Sequence, residues 1–170
     1  MASILRFDNW QNSDGTSIAT TDASGNISFA GSLGATAGLG KILQVVQQTR
    51  STATSTTANT WVSTGLTATI TPTSATSTIL VISHLPCRGN STTCGHTVYR
   101  GDIATGTELT GVSNGFGDFD SGRAVNTGLI VDSPATTSAT TYTQAFISPN
   151  ADAFLSSIRL GSLTLMEISA

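Results

Sequence analysis

Short apolar or alternating segments recur along the chain, each bounded by Gly, Ser, Asn, Asp or Pro. A side-chain period of two broken at short intervals by turn residues predicts strands, not helices. The pattern places strands at 42–49, 60–63, 66–71, 78–85, 96–100, 124–131, 140–147 and 162–168. The best helical candidate, 33–46, is opposed by glycines at 34, 38 and 40, since glycine costs about 1 kcal/mol in a helix relative to alanine. The expected class is all-β, an antiparallel β-sandwich or jelly roll. Segment 78–85 is apolar in both phases, which predicts a central strand covered on each side. The last strand ends almost at the terminus, and Met166 and Ile168 are expected to tie it into the sheet.

Composition separates this reading from disorder. Ser and Thr make up close to a third of the 170 residues, and only 10% are charged. Disordered chains combine low hydrophobicity with high charge, whereas here hydrophobic residues reach 38% and the net charge is −3. Threonine is β-branched and suits a pleated surface. A surface so poor in charge has little repulsion to prevent association, and fits a chain held against copies of itself or a larger particle. Seven basic residues, scattered singly, form no stripe for phosphates, so no nucleic-acid partner is expected. No run approaches the ~18 apolar residues of a membrane span. The N-terminus lacks the pattern of a signal peptide, so cytoplasmic synthesis is expected.

Three parts are expected. Residues 1–31 form an N-terminal anchor segment, 32–40 a Gly-rich connector, and 41–170 the head. Within the first part, 17–21 and 26–30 alternate around the turn residues 22–26, which predicts a β-hairpin. A lone hairpin cannot bury its apolar face. Ile4, Leu5, Phe7, Trp10, Ile18, Ile27 and Phe29 are therefore expected to pack on another chain. Trp61, like Trp10, is read as a packing anchor.

The leader MASILRFDNWQNSDGTSIATTDASGNISFAG, the block KILQVVQ from Lys41, the run 64–74, TILV from Thr78, the run 132–142 and the closing LTLMEI follow in a fixed order. This series resembles bacteriophage virion structural proteins of the short-fibre and decoration class, common among phages of marine bacteria and cyanobacteria. The resemblance spans most of the chain. It implies a trimer with a β-sandwich head on the virion exterior, and contacts with other virion proteins of the tail, baseplate or capsid. It brings no catalytic motif and no cofactor. The loop 86–95, with its two cysteines, departs from the pattern.

That loop carries the sharpest constellation, His84, Cys87, Cys94 and His96. Three readings are open: a disulfide between Cys87 and Cys94, two free thiols, or a structural zinc site built from the tetrad. The disulfide is the expected state. A second candidate is the Gly-rich loop holding Phe116, Asp118, Phe119 and Asp120. Its acidic pair could serve a glycosidase, but an exposed loop contacting a host glycan or a neighbouring subunit is the better reading. The remaining carboxylates mostly adjoin Gly, Ser or Asn in predicted turns, where water should keep them ordinary. No nucleophile elbow or phosphate loop is present, and no enzymatic activity is expected.

Overall fold

A computed structural model describes residues 9–11, 13–29, 40–89, 94–113, 115–116, 122–148, 153–155 and 160–170. The chain divides into two units, Met1–Leu39 and Gly40–Ala170. The described residues hold thirteen strands and no helix. The anchor residues Ile4, Leu5 and Phe7, the connector 32–39, and Asp118, Phe119 and Asp120 lie outside the described residues.

In the first unit, β1 (Asn9–Gln11), β2 (Ser17–Thr21) and β3 (Ile27–Phe29) form an antiparallel sheet in that order. The hairpin is there, and β1 adds a strand the sequence reading did not include. Asp22 shapes its turn. One carboxylate oxygen accepts from the backbone N–H of Ser24 and of Asn26, both at 2.9 Å, and the other from the Asn26 amide at 2.8 Å. Trp10, Ile18 and Ile27 are exposed within this unit, so Trp10 is not packed there. Among the described residues of this unit, Ala19 is the one buried hydrophobic.

The second unit is an antiparallel β-sandwich, as the strand rhythm requires. Its strands are β4 (Ile42–Arg50), β5 (Ser55–Thr56), β6 (Val62–Ile70), β7 (Thr78–Gly89), β8 (Gly95–Arg100), β9 (Thr107–Glu108), β10 (Gly122–Asp132), β11 (Thr140–Ile147), β12 (Ala153–Leu155) and β13 (Gly161–Ile168). One sheet centres on β7. On one side β7 pairs with β13 and then β12, and on the other with β10, while β4 flanks β13 and β5 flanks β12. The second sheet runs β6-β11-β8-β9.

The two predicted strands at 60–63 and 66–71 are one strand, β6. Between them, Gly65 takes a left-handed backbone (φ 76°) beneath the Arg50 side chain. The register against β11 shifts there, which is a bulge. Thr64 Oγ1 accepts from the Leu66 N–H at 3.1 Å and donates to the Gln144 carbonyl at 3.2 Å, holding the irregular segment to the sheet. The short strands β5, β9 and β12 carry too few residues to show a period.

Between the sheets, Leu66, Ala68, Ile70, Ile79, Val81, Val98, Tyr142, Leu163 and Leu165 form the main apolar cluster. A second cluster holds Leu85, Cys87, Cys94 and Phe146. On β7 the odd positions from Ile79 to Cys87 are buried, while Leu80, Ile82 and His84 on the other face are only half-buried. The strand is central, but one face alone meets the core. On β13 the inward residues are Leu163, Leu165 and Glu167. Met166 and Ile168 are paired into the sheet on both sides, as expected, and sit half-buried on the opposite face.

Candidate functional site

Inward positions are apolar along most of each strand, yet the two clusters do not touch through apolar side chains alone. Counting inward along β7, Val81 belongs to the first cluster, Leu85 to the second, and Ser83 lies between. The same holds for His96 between Val98 on β8 and Cys94 just before that strand, for Gln144 between Tyr142 and Phe146 on β11, and for Thr64 between Leu66 and Val62 on β6. Four strands thus contribute one polar layer that crosses the sandwich.

The layer is hydrogen-bonded across the sheets. The Gln144 amide donates to Ser83 Oγ at 2.8 Å and to the His84 carbonyl at 3.2 Å. Ser83 Oγ lies 2.8 Å from His96 Nε2. His96 Nδ1 has no hydrogen-bond partner among the described residues, and the ring is sealed from solvent. Burial, with a smaller contribution from His84, lowers the His96 pKa to about 3. A serine beside a histidine resembles the first two members of a hydrolytic triad. Here Ser83 is fully buried, and no described carboxylate orients Nδ1. The arrangement holds a neutral imidazole and presents no nucleophile to solvent.

The predicted tetrad is divided by strand geometry. Cys87 and Cys94 meet as a disulfide within the second cluster. His96 faces inward, while His84 stands on the other face of β7 with Nδ1 3.1 Å from Thr127 Oγ1. His84 and Cys87 are three residues apart on one strand and so point to opposite faces. No described group of three or more His, Cys, Asp or Glu side chains converges on a metal position, and the zinc reading is set aside. Serine at both cysteines is expected to lower stability by about 2–3 kcal/mol, the chain-entropy value for so short a ring. Urea unfolding of the oxidised protein and the double variant measures it, and equal midpoints would dismiss the bond as a stabilising element.

Of the candidate contact loop, Phe116 is described, and it turns inward, not outward. Its ring packs on the main cluster and lies 5.1 Å from the His96 ring, tilted by 54°. The Phe116 N–H donates to the His96 carbonyl at 2.7 Å. Opposite it is Gly128 on β10, where any Cβ would overlap the ring. Phe116 is therefore a core residue reached from a loop.

Three carboxylates, Glu167, Asp132 and Glu108, are held by hydrogen bonds of the fold. Glu167, buried at the end of β13, accepts from the Gln44 amide and from the N–H and hydroxyl of Thr73, all at 2.7 Å. Burial alone raises its pKa, but the hydrogen bonds led by Gln44 and Thr73 outweigh this and lower it to about 2. Asp132 on β10 accepts from Tyr142 Oη at 2.7 Å and from Arg100 at 2.9 Å, linking both sheets. Burial, then the Asp132 hydrogen bond, raises the Tyr142 pKa. Glu108 accepts from the hydroxyls of Thr97 and Thr110 and from the N–H groups of Thr110 and Gly111. Burial raises the Glu108 pKa, but these bonds outweigh it and the net shift is downward. In each case the partners come from distant strands or adjoining turns, which local sequence does not announce.

No protein-family profile and no curated protein matches the chain.

Proposed function

We propose that the chain is a non-enzymatic structural subunit of a bacteriophage particle, a homotrimeric short tail fibre or knob on the virion exterior. The observation that carries the self-associating part is the surface. Trp10 (65% exposed) and Ile27 (63%) stand out from the small N-terminal sheet, and Leu129 (62%), Val131 (58%) and Val45 (55%) from the head, in a chain with 10% charged residues. Such surfaces are dressed for contact with protein. The phage context rests on the ordered blocks of sequence. In this reading the first unit attaches to another virion protein and the second is the outward head, which touches host glycans. A capsid-decoration role is the alternative, since the same exposed sheet would clamp a capsid as well as a tail. Cryo-EM of the particle separates the two.

Deleting residues 1–31 is expected to leave a folded head that no longer joins the particle. Normal incorporation of the truncated chain would refute this division of labour. Incubation with host capsular polysaccharide or lipopolysaccharide is expected to release no oligosaccharide. Release that disappears in the Asp118→Asn, Asp120→Asn variant would make the protein a depolymerase instead.

A further inference from the structure

We infer that the polar layer is a self-reacting site, in which Ser83 and Gln144 close an ester between the two sheets with loss of ammonia.

Three chemically distinct groups converge there. Ser83 on β7 brings a hydroxyl, His96 on β8 a ring nitrogen, and Gln144 on β11 an acyl group. Both the His96 Nε2 and the Gln144 Nε2 contacts to Ser83 Oγ measure 2.8 Å. The proton count assigns their roles. The Gln144 amide donates to Ser83 Oγ, so among the described partners of Ser83 only His96 Nε2 is left to accept the hydroxyl proton. A hydroxyl within hydrogen-bond reach of a base is the arrangement of an activated serine. A hydrolase takes its acyl group from solution. Here the layer contains one, because the amide nitrogen touching Ser83 is bonded directly to Gln144 Cδ. The last side-chain torsion of glutamine has a broad well, so its rotation turns the face of the amide toward Oγ.

The reaction needs no oxidant and no metal. Ser83 Oγ attacks Gln144 Cδ while His96 Nε2 takes the hydroxyl proton. The tetrahedral carbon then expels the amide nitrogen, which receives that proton back from His96 and leaves as ammonia. One C–O bond forms and one C–N bond breaks. The His84 carbonyl accepts from the departing nitrogen at 3.2 Å and holds it in place.

A carboxamide is a poor acyl donor in water, and the layer is not in water. Ser83, His96, Gln144 and Thr64 are all sealed from solvent, which keeps water from competing for the acyl carbon and protects the ester once made. Apolar clusters clamp the layer from both sides. Fixed intramolecular partners reach effective molarities on the order of 10⁵–10⁸ M. Burial keeps the His96 ring neutral, so its lone pair is available, and also makes it a weak base. A weak base suffices, since the site reacts once per chain. Escape of ammonia to solvent prevents the return. The ester would join the Cys87–Cys94 disulfide as a second covalent tie between the β7-centred sheet and the sheet that holds β8 and β11.

The test is intact-mass spectrometry of the full-length chain, folded, then denatured and reduced. The expected mass is one ammonia below that required by the sequence. Tryptic fragments 51–88 and 124–159, which hold Ser83 and Gln144, are expected to stay joined after reduction and to separate in hydroxylamine, which cleaves esters. The deficit is expected to be absent from Ser83→Ala and Gln144→Leu. Fragment sequencing of the unaltered chain locates the bond even if those variants fail to fold. His96→Phe is expected to slow ammonia loss in freshly synthesised chain about a hundredfold or more, the range of general-base assistance. A chain of full mass would overturn the inference and leave the layer as hydrogen bonds alone. A deficit with the two fragments separate would overturn it as well, placing the loss elsewhere. An unchanged rate in folded His96→Phe would overturn the role given to His96.

Discussion

Acidification from pH 7 to pH 3 is expected to remove on the order of 4–5 kcal/mol of head stability through one residue, His96. Its folded pKa is about 3 against an ordinary 6.5, and each unit of difference corresponds to about 1.4 kcal/mol. The sign follows from which state holds the proton. The unfolded chain protonates His96 below pH 6.5, while the folded chain resists until about 3. The contribution is complete above pH 6.5, falls steadily below it, and is exhausted near pH 3. By pH 4.5 the loss is about 3 kcal/mol. The cause is structural, since a proton on the ring would place a charge in the sealed polar layer. Nδ1 there lacks a described partner. Glu167 and Glu108 add a second, more acidic phase. The Glu167 pKa is lowered from 4.5 to about 2, so its stabilisation is present above pH 4.5 and disappears toward pH 2. Denaturant unfolding at successive pH values separates the phases. His96→Phe is expected to flatten the profile between pH 6.5 and 4.5 and keep the acid limb. A wild-type profile already flat in that window would show that His96 is not held neutral by the fold.

Phe146→Ala is expected to cost about 3–5 kcal/mol and to lower the melting point by about 10–20 °C. Phe146 is fully buried on β11 and packs with Leu85, Cys87, Cys94 and Val62. The polar layer isolates this small cluster from the main core, so no large neighbour is free to relax into the gap. The loss is expected to exceed that of removing the disulfide beside it. The crosslink constrains one short loop, whereas the ring fills the space between both sheets. Typical domains have about 5–15 kcal/mol in total, so the variant should be folded but marginal at 37 °C. Unfolding curves for Phe146→Ala and for the Cys87→Ser, Cys94→Ser pair give the ranking directly. A larger loss from the cysteine pair would mean that covalent closure, not packing, holds this end of the sandwich.

The sequence by itself determined the elements and the class. Period-two segments such as 66–70 and 140–147, interrupted by Gly, Pro, Ser and Asp, can bury a face only as strands, and so many short ones make a sandwich. The hairpin around Asp22 was legible for the same local reason, as was the placing of two cysteines on either side of a tight loop. What the tertiary structure alone decided was phase. In 78–85 and 163–168 both alternations carry apolar residues, so hydrophobicity could not say which set faces the core. Packing against β6, β8 and β11 selected Ile79, Val81 and Leu85 on one strand and Leu163, Leu165 and Glu167 on the other. That choice left Met166, Leu80 and Ile82 on the outer face and carried Ser83 and Glu167 inside. It also joined Thr64, Ser83, His96 and Gln144, from the consecutive strands β6, β7 and β8 and from the distant β11, into one layer. Phe116 turned inward because Gly128, twelve residues away on β10, leaves room for its ring. A period of two fixes that neighbours alternate, and only contact between the sheets fixes which of the two alternations is inside.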